Sequence, residues 1–316
     1  KAVTAIKKSI SQVNRYPDGN CHYLKERLAQ RLKVQPSNLI IGNGSDEIIV
    51  LAVRAFLNEG EEAVVADRTF LVYKLAIMAQ NGRVVSVPMK DFRYDLKEMK
   101  KAITKKTKLV FIANPDNPIG TYVKKLELLK FLKAVPENVV VVLDEAYYEF
   151  ACKNKDYPDS LNLLDLFKNL VVTRTFSKAY GLSGLRVGYA VTSPSIAYAM
   201  NKVREPFNVN FLAQVAAIAA LDDKAHLKKT LAMVTRGRQY LSHELKKMGV
   251  KVVETATNFV LADLGRDAND VYEKLLRQGV IVRPMAVWGL QNFIRVTIGK
   301  KNENERFIRT LREVLK

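Results

Sequence analysis

Lys178 lies in a segment whose residue types can support covalent chemistry. The segment runs from Thr173 to Gly188 and reads Thr-Arg-Thr-Phe-Ser-Lys-Ala-Tyr-Gly-Leu-Ser-Gly-Leu-Arg-Val-Gly. It follows an apolar, strand-like run, and its small residues let a ligand approach the backbone. A lysine amine at its ordinary pKa of about 10.4 is a poor nucleophile, but a neighbouring cation or imine formation makes it reactive. Lys178 is therefore a candidate nucleophile and proton carrier; the alternative is a surface lysine in a Gly/Ser loop.

The residues around Lys178 are suited to binding a phosphate. Arg186 supplies a forked positive charge eight residues later, and Thr175 and Ser177 add hydroxyl donors. A Schiff-base lysine, hydroxyl groups and a phosphate-binding arginine are what a covalent pyridoxal phosphate (PLP) site needs. The segment therefore predicts PLP as the cofactor.

Asp144 follows the apolar run Val139–Leu143, which predicts a central parallel strand. Open α/β sheets place ligand-binding groups at such carboxyl ends. A carboxylate there can pair with a protonated pyridine nitrogen and keep the ring electron-withdrawing, and Tyr147 could hydrogen-bond the phenolic oxygen of the cofactor. An acidic helix N-cap is the alternative for Asp144.

Asn117 lies in a Pro/Asn/Gly loop, 114–120, that follows another apolar run. Each proline keeps the residue before it out of the helical region, so we expect Asn117 to be extended and able to donate its amide to a ring oxygen. An ordinary Asn-Pro turn is the alternative.

A glycine-rich turn at Gly42–Gly44 leads into a helix start, with Ser45 or Asp46 as the predicted N-cap. Free N–H groups and the helix dipole make such a turn suitable for a phosphate. It is not the dinucleotide fingerprint, because Glu47 occupies the position of the third glycine.

Together these segments resemble the PLP-dependent aminotransferases of the aspartate aminotransferase superfold, and most closely the histidinol-phosphate aminotransferases. The resemblance extends over essentially the whole chain. Its most specific pieces are Asn14–Gly19, Gly42–Glu47, Asn117-Pro118, Asp144–Tyr147, Ser177–Arg186 and Ile294–Gly299.

The resemblance implies a role for each cofactor contact. Lys178 would bind PLP covalently, and Asp144 would pair with the ring nitrogen. Tyr147 and Asn117 would hold the ring oxygen, and Phe70 would stack on the ring. The implied phosphate contacts are Gly44, Ser45, Thr175, Ser177 and Arg186, and Asp46 is a further implied cofactor contact.

The resemblance also implies partners and substrates. Tyr16 matches the tyrosine that reaches the cofactor phosphate of a partner subunit, so a homodimer is expected. Arg295 and Arg283 match contacts to the anionic end of the substrate. The implied reaction moves an amino group from histidinol phosphate to 2-oxoglutarate by a ping-pong mechanism, in histidine biosynthesis.

Three alternatives remain open from the sequence. They are an aromatic amino-acid aminotransferase, a lyase like threonine-phosphate decarboxylase, and a non-catalytic PLP-binding module. The chain also departs from the family pattern, with Ile119 in place of the usual threonine and Arg68 in place of a proline. The family's N-terminal Asn-Glu-Asn-Pro-like segment is absent, so either the sequence is a piece of a longer protein or this member lacks that segment.

Composition limits the remaining function classes. The 316 residues are 48% hydrophobic and 26% charged, which is ordinary for a globular protein. No apolar run approaches the roughly 20 residues of a membrane span, and no signal peptide is visible. Cys21 and Cys152 show neither a metal-binding spacing nor a disulfide framework. We therefore expect a cytoplasmic protein without a metal site.

The net charge of +19 raises the question of nucleic-acid binding. The lysines are spread over amphipathic helices, with neither a basic tail nor a basic–aromatic repeat. Solvated helix faces are therefore the preferred interpretation, and no nucleic-acid partner is expected.

Alternating apolar strands and helical patterns predict an α/β fold. Residues 36–205 are expected to form a large PLP-binding domain with a mainly parallel seven-stranded sheet covered by helices. Residues 1–35 and 206–316 are expected to form a smaller α+β domain with the N-terminal helices. One of its predicted strands is Val280–Val282.

Overall fold

The computed structural model describes all 316 residues, from Lys1 to Lys316. Seven of its strands form one large sheet. They are β1 (Leu39–Gly42), β2 (Glu62–Ala66), β3 (Arg83–Val87), β4 (Thr107–Ala113), β5 (Val140–Asp144), β6 (Leu170–Thr175) and β7 (Gly188–Thr192). Their order is β1-β7-β6-β5-β4-β2-β3, and only β7 runs antiparallel to its neighbours. The predicted mainly parallel, seven-stranded sheet is confirmed.

Twelve α-helices surround the strands. They are α1 (Ala2–Ser9), α2 (His22–Leu32), α3 (Ser45–Phe56), α4 (Leu71–Ala79), α5 (Leu96–Lys101), α6 (Lys125–Leu132), α7 (Tyr148–Ala151), α8 (Pro194–Lys202), α9 (Phe211–Leu221), α10 (Lys224–Lys247), α11 (Ala268–Arg277) and α12 (Lys301–Leu315). No helix is both long enough and apolar enough to cross a membrane.

The large sheet is buried on both faces, which explains its valine-rich central strands. Every residue of β5 is buried, as expected for a parallel strand covered by helices on each side. Residues of α3, α4 and α8 pack on one face, and residues of α5 and α6 pack on the other. The two helical layers therefore hold the strand ends in a fixed arrangement.

A second sheet has four antiparallel strands in the order β10-β11-β9-β8. The strands are β8 (Lys251–Val253), β9 (Phe259–Asp263), β10 (Arg283–Met285) and β11 (Leu290–Thr297). Helices α10, α11 and α12 cover it, which confirms the predicted smaller α+β unit. The strand predicted at Val280–Val282 is wrong, since β10 begins at Arg283. Val280 and Val282 are buried in the core, so their apolar pattern reflects burial without strand pairing.

The N-terminal helices contact the large sheet. Leu24 and Leu28 of α2 share one buried cluster with Ile41 of β1 and with Ala213 and Ala217 of α9. Helix α9 therefore lies with the N-terminal helices against the seven-stranded sheet. The division into 36–205 on one side and 1–35 with 206–316 on the other stays a prediction.

The two sheets meet at the loop after β4. Ile119 of this loop is fully buried against Leu261, Met285 and Trp288 of the four-stranded sheet region. The indole Nε1 of Trp288 donates to the carbonyl oxygen of Thr69 at 2.8 Å. These contacts bring β11 to the edge of the large sheet where β4 and β5 end.

Candidate active site

One pocket opens at the carboxyl ends of β4, β5 and β6. Because these three neighbouring strands are parallel, the residues that follow them meet at the same edge of the sheet. The pocket brings together ten of the residues predicted from the sequence. They are Ser45, Asp46, Phe70, Asn117, Asp144, Tyr147, Thr175, Ser177, Lys178 and Arg186.

Lys178 is half-buried in this pocket. Its Nζ atom lies 5.4 Å from the centre of the Tyr147 ring. Burial lowers the pKa of Lys178, and the positive charge of Arg295 lowers it further. A larger fraction of this amine is therefore neutral and nucleophilic at neutral pH than for an exposed lysine.

Asp144 is the last residue of β5, and its carboxylate accepts three hydrogen bonds. Oδ1 accepts from the backbone N–H of Ala146 at 3.1 Å and from Thr173 Oγ1 at 3.0 Å. Oδ2 accepts from the hydroxyl of Tyr73 at 2.8 Å. Burial raises the pKa of Asp144, whereas these hydrogen bonds oppose the rise. The carboxylate is thus held in one orientation inside the pocket.

Two of these hydrogen-bond donors were not predicted from the sequence. Thr173 is in the segment that carries Lys178, and Tyr73 is in the first turn of α4. Tyr73 follows Phe70 by three residues, a spacing that places two side chains on the same side of a helix. That spacing is the signal that could have identified Tyr73.

The start of α3 lies at the end of the pocket where an anion was predicted to bind. The predicted N-cap at Ser45 or Asp46 is wrong, since Gly44 is the N-cap and Ser45 is the first helical residue. Gly44 makes this possible because its φ of +80° suits a residue without a side chain. The Glu47 carboxylate accepts from the N–H of Asn43 at 2.6 Å, and no side chain caps the helix. The first N–H groups of α3 thus remain available to a ligand.

Arg186 completes the anion-binding end. Its Nη1 atom donates to Ser177 Oγ at 3.3 Å, and its Nη2 atom lies 3.2 Å from Asp46 Oδ2. Its backbone has a φ of +54°, a left-handed conformation that is uncommon for a residue with a side chain and recurs at functional sites. A Cβ atom at Gly44 would lie 2.4 Å from Arg186 Nη2, so only glycine lets the guanidinium approach this turn.

Arg295 connects the four-stranded sheet to the pocket. Its Nη1 atom donates to the side-chain oxygen of Asn117. Its guanidinium carbon lies 5.1 Å from the centre of the Phe259 ring, which meets the Tyr147 ring edge-on at 5.4 Å. Arg295, a predicted substrate-binding residue, therefore hydrogen-bonds Asn117, a predicted cofactor-binding residue.

Arg283 lies opposite Arg295 in the register of β10 and β11. It is exposed, and its guanidinium carbon lies 5.8 Å from the centre of the Trp288 ring. Burial lowers the pKa of Arg295, Tyr147 opposes this shift, and the charge of Arg283 lowers the pKa further. Two positive charges without an acidic partner form a place for an anion.

Tyr16 does not reach this pocket within one chain. Its side chain is 83% exposed and contacts the Phe207 ring, with 4.9 Å between the ring centres. The structure therefore gathers ten of the predicted cofactor contacts in one pocket and leaves Tyr16 on the surface. Arg295 and Arg283 line a separate pocket, and the hydrogen bond to Asn117 connects Arg295 to the first one.

Comparison with known proteins agrees with this arrangement. The pattern of the family "aminotransferase class I and II" matches residues 1–311. The chain belongs to this family. The resemblance predicted from the sequence motifs is confirmed, and the chain is an aminotransferase-family enzyme.

Two histidinol-phosphate aminotransferases and one decarboxylase are similar to this chain over nearly its whole length. The histidinol-phosphate aminotransferase of Moorella thermoacetica is 49% identical over 99% of this chain and 81% of its own length. The structure of histidinol-phosphate aminotransferase from Sinorhizobium meliloti in complex with pyridoxal-5'-phosphate superposes with a TM-score of 0.94. It is 33% identical, covering 99% of this chain and 86% of that one. The L-threonine-O-3-phosphate decarboxylase of Porphyromonas gingivalis has a TM-score of 0.88 and 25% identity, covering 99% of this chain and 94% of that one.

Proposed function

We propose that the protein is a PLP-dependent aminotransferase that moves the amino group of histidinol phosphate to 2-oxoglutarate, in histidine biosynthesis. One observation carries this proposal: Lys178, Asp144 and Arg186 line a single pocket, and Arg295 hydrogen-bonds Asn117, another residue of its lining. Membership of the aminotransferase family and the similarity to histidinol-phosphate aminotransferases support the same reaction.

The residues of the pocket fit PLP at both of its ends. The phosphate is a dianion, and the uncapped start of α3, Ser45, Ser177 and Arg186 offer it N–H, hydroxyl and guanidinium donors. A Cβ atom at Gly188 would lie 2.5 Å from the backbone nitrogen of Ser45, so this turn needs a glycine behind it. At the other end, Asp144 provides a carboxylate, which can pair with a protonated ring nitrogen. Phe70 lines the pocket between these ends and would stack on the ring.

Lys178 would form the covalent link to PLP and accept the proton from the α-carbon of the amino donor. When bound, PLP supplies a carbonyl that condenses with an amine and a ring that withdraws electrons from the donor's α-carbon. The lowered pKa of Lys178 lets Nζ lose its proton and then accept one from the α-carbon. Since one pocket serves the amino donor and then the 2-oxo acid, ping-pong kinetics are expected.

Asp144 and Arg186 keep the reacting atoms in place. The Asp144 carboxylate would retain a proton on the ring nitrogen, because an adjacent negative charge favours the protonated form of that nitrogen. Arg186 would hold the phosphate, while Tyr147 and Asn117 would orient the ring oxygen. Holding the cofactor in one position would keep its reacting carbon near Lys178, which lowers the entropic cost of reaching the transition state.

Arg295 and Arg283 would recognise the anionic end of the substrates. Both arginines line one pocket and neither has an acidic partner, so their guanidinium groups can bind a phosphate monoester or a carboxylate. The same pair would serve the carboxylate of 2-oxoglutarate in the second half of the reaction.

We further propose a cytoplasmic homodimer in which Tyr16 of one protomer reaches the phosphate end of its partner's pocket. Its exposure and its single aromatic contact, with Phe207, leave its hydroxyl free for another chain. Val3, Ile10 and Val13 are exposed apolar residues of the same N-terminal segment, which suits burial against a second protomer.

A panel of amino donors tests this function. Purified protein loaded with PLP is mixed with histidinol phosphate, and the conversion of the cofactor to its amine form is followed by absorbance. Addition of 2-oxoglutarate should reverse the change. Aromatic amino acids and threonine phosphate serve as competing donors, with released carbon dioxide measured in parallel. Release of carbon dioxide without amino transfer to 2-oxoglutarate would contradict the proposal.

A further inference from the structure

Tyr73 is fully buried beside Asp144 and lines the pocket. We propose that Tyr73 is a positioning residue. Its hydroxyl fixes Oδ2 of Asp144, the oxygen that can still accept a hydrogen bond from the protonated ring nitrogen of the cofactor. This inference rests on the proposed function, because it takes Asp144 as the partner of that nitrogen.

The hydrogen bonds of Asp144 are divided unequally between its two oxygens. Each carboxylate oxygen can accept about two hydrogen bonds. Oδ1 already accepts two, from Ala146 N at 3.1 Å and Thr173 Oγ1 at 3.0 Å. Oδ2 accepts one, from Tyr73 at 2.8 Å. Oδ2 therefore keeps one acceptor position, and the tyrosine hydroxyl determines where that position points.

The packing around Tyr73 makes it a rigid donor. Its ring stacks on Phe111 of β4, with 4.9 Å between the ring centres and an interplanar angle of 14°. Phe70 meets the same ring edge-on at 5.7 Å and 85°. Burial raises the pKa of Tyr73, and the neighbouring Asp144 charge raises it further, so the hydroxyl keeps its proton. Tyr73→Phe removes the hydroxyl and leaves both ring contacts in place.

The chain contains a matched control. The Tyr94 hydroxyl is also buried and hydrogen-bonds a buried carboxylate, that of Asp116, at 2.9 Å. It also hydrogen-bonds Thr69 Oγ1 at 2.6 Å and accepts from the N–H of Ala113 at 3.0 Å, so its removal costs at least as many hydrogen bonds as that of the Tyr73 hydroxyl. Neither Tyr94 nor Asp116 lines the pocket. Tyr94→Phe therefore makes the same chemical change, at similar burial, without touching Asp144.

The experiment compares two cofactors on three proteins from which PLP has been removed: the unaltered chain, Tyr73→Phe and Tyr94→Phe. One cofactor is PLP, and the other is its analogue with a C–H group in place of the ring nitrogen. A hydrogen bond to a charged group contributes enough to expect a roughly 10- to 100-fold weaker Kd for PLP in Tyr73→Phe. The analogue cannot pair with Asp144, so its Kd should be the same for Tyr73→Phe and the unaltered chain.

Thermal unfolding without cofactor shows whether each variant folds. Asp144→Asn tests the role of Asp144 separately from that of Tyr73. If Tyr73→Phe loses affinity for both cofactors equally, or no more than Tyr94→Phe does for PLP, the positioning role is wrong. In the double variant with Asp144→Asn, the Tyr73 substitution should cause no additional loss of PLP affinity. Normal PLP binding and turnover by Asp144→Asn would overturn the assigned role of Asp144 and this inference with it. Impairment by Asp144→Asn alone would overturn only the inference.

Discussion

The proposed cofactor end and the proposed substrate end of the site are built differently. At the proposed cofactor end, Asp144 accepts three hydrogen bonds, and the proposed phosphate contacts lie in the first turn of α3, at the end of β6 and in the loop after it. At the proposed substrate end, Arg295 and Arg283 extend from the four-stranded sheet and line a separate pocket. Arg295 is held by Asn117 and an aromatic face, and Arg283 by the Trp288 ring.

This difference predicts that a substitution can change cofactor binding without changing substrate binding, and the reverse. The cofactor end depends on residues that follow neighbouring strands of one buried sheet. The substrate end depends on the contact between two sheets, through Ile119 and the Trp288–Thr69 hydrogen bond. Changes at the first end should therefore affect cofactor binding and chemistry, whereas changes at the second should affect KM.

The largest effect is expected from Lys178→Ala, at the centre of the cofactor end. Without the amine, the chain can neither form the covalent link nor carry the proton from the α-carbon. Turnover should fall by several orders of magnitude, and intact-mass analysis after borohydride reduction should find no attached cofactor. A cofactor-bearing mass in this variant would show that another lysine performs the role.

Asp144→Asn should retain the fold and lower kcat by about two to three orders of magnitude, because an amide cannot stabilise a proton on the ring nitrogen. Stopped-flow measurement of proton abstraction from the α-carbon tests this expectation directly. Thermal unfolding provides the control for folding. A near-normal rate of abstraction would contradict the assigned pairing.

The same contrast explains which parts could be predicted from the sequence. The large sheet could be predicted because buried parallel strands appear as continuous apolar runs. The run of β5 ends at a carboxylate, Asp144, which marked a candidate site residue. Residues within one motif, from Thr175 to Arg186, fold into one place because the chain keeps them close. Their gathering into one pocket follows from the parallel order of β4, β5 and β6.

Long-range contacts could not be predicted in this way. The start of β10 was misplaced because buried Val280 and Val282 give the same apolar pattern as a strand. The hydrogen bond between Tyr73 and Asp144 joins residues that are 71 positions apart, and nothing in either segment specifies the partner. The N-cap of α3 lies one or two residues before the predicted Ser45 or Asp46, because serine and aspartate are good caps by type, whereas Gly44 permits the required φ.

Arg295→Lys tests the substrate end, where a smaller effect is expected. Lysine keeps the charge but loses the forked geometry that binds a carboxylate or phosphate through two hydrogen bonds. KM for both half-reactions should rise by roughly 10- to 100-fold, while the Kd for PLP stays unchanged. Arg277→Lys, on α11 in the same region, provides a control for the loss of a guanidinium group. A weaker Kd for PLP in Arg295→Lys would show that the two ends are not separable.

The smallest expected signal concerns the proposed contribution of Tyr16 from a partner protomer. Tyr16→Phe removes a hydroxyl that would bind the cofactor phosphate, so this variant should be impaired at limiting PLP, and Lys178→Ala should be inactive. If the two are mixed and allowed to exchange subunits, each heterodimer has one site with both substitutions and one site with neither. Random exchange of equal amounts gives about half heterodimers, so activity should reach about a quarter of the unaltered enzyme. Native mass spectrometry verifies the exchange, and the same mixture kept unexchanged is the control. A monomer at assay concentration, or no gain in activity after exchange, would show that Tyr16 does not complete the site of a partner.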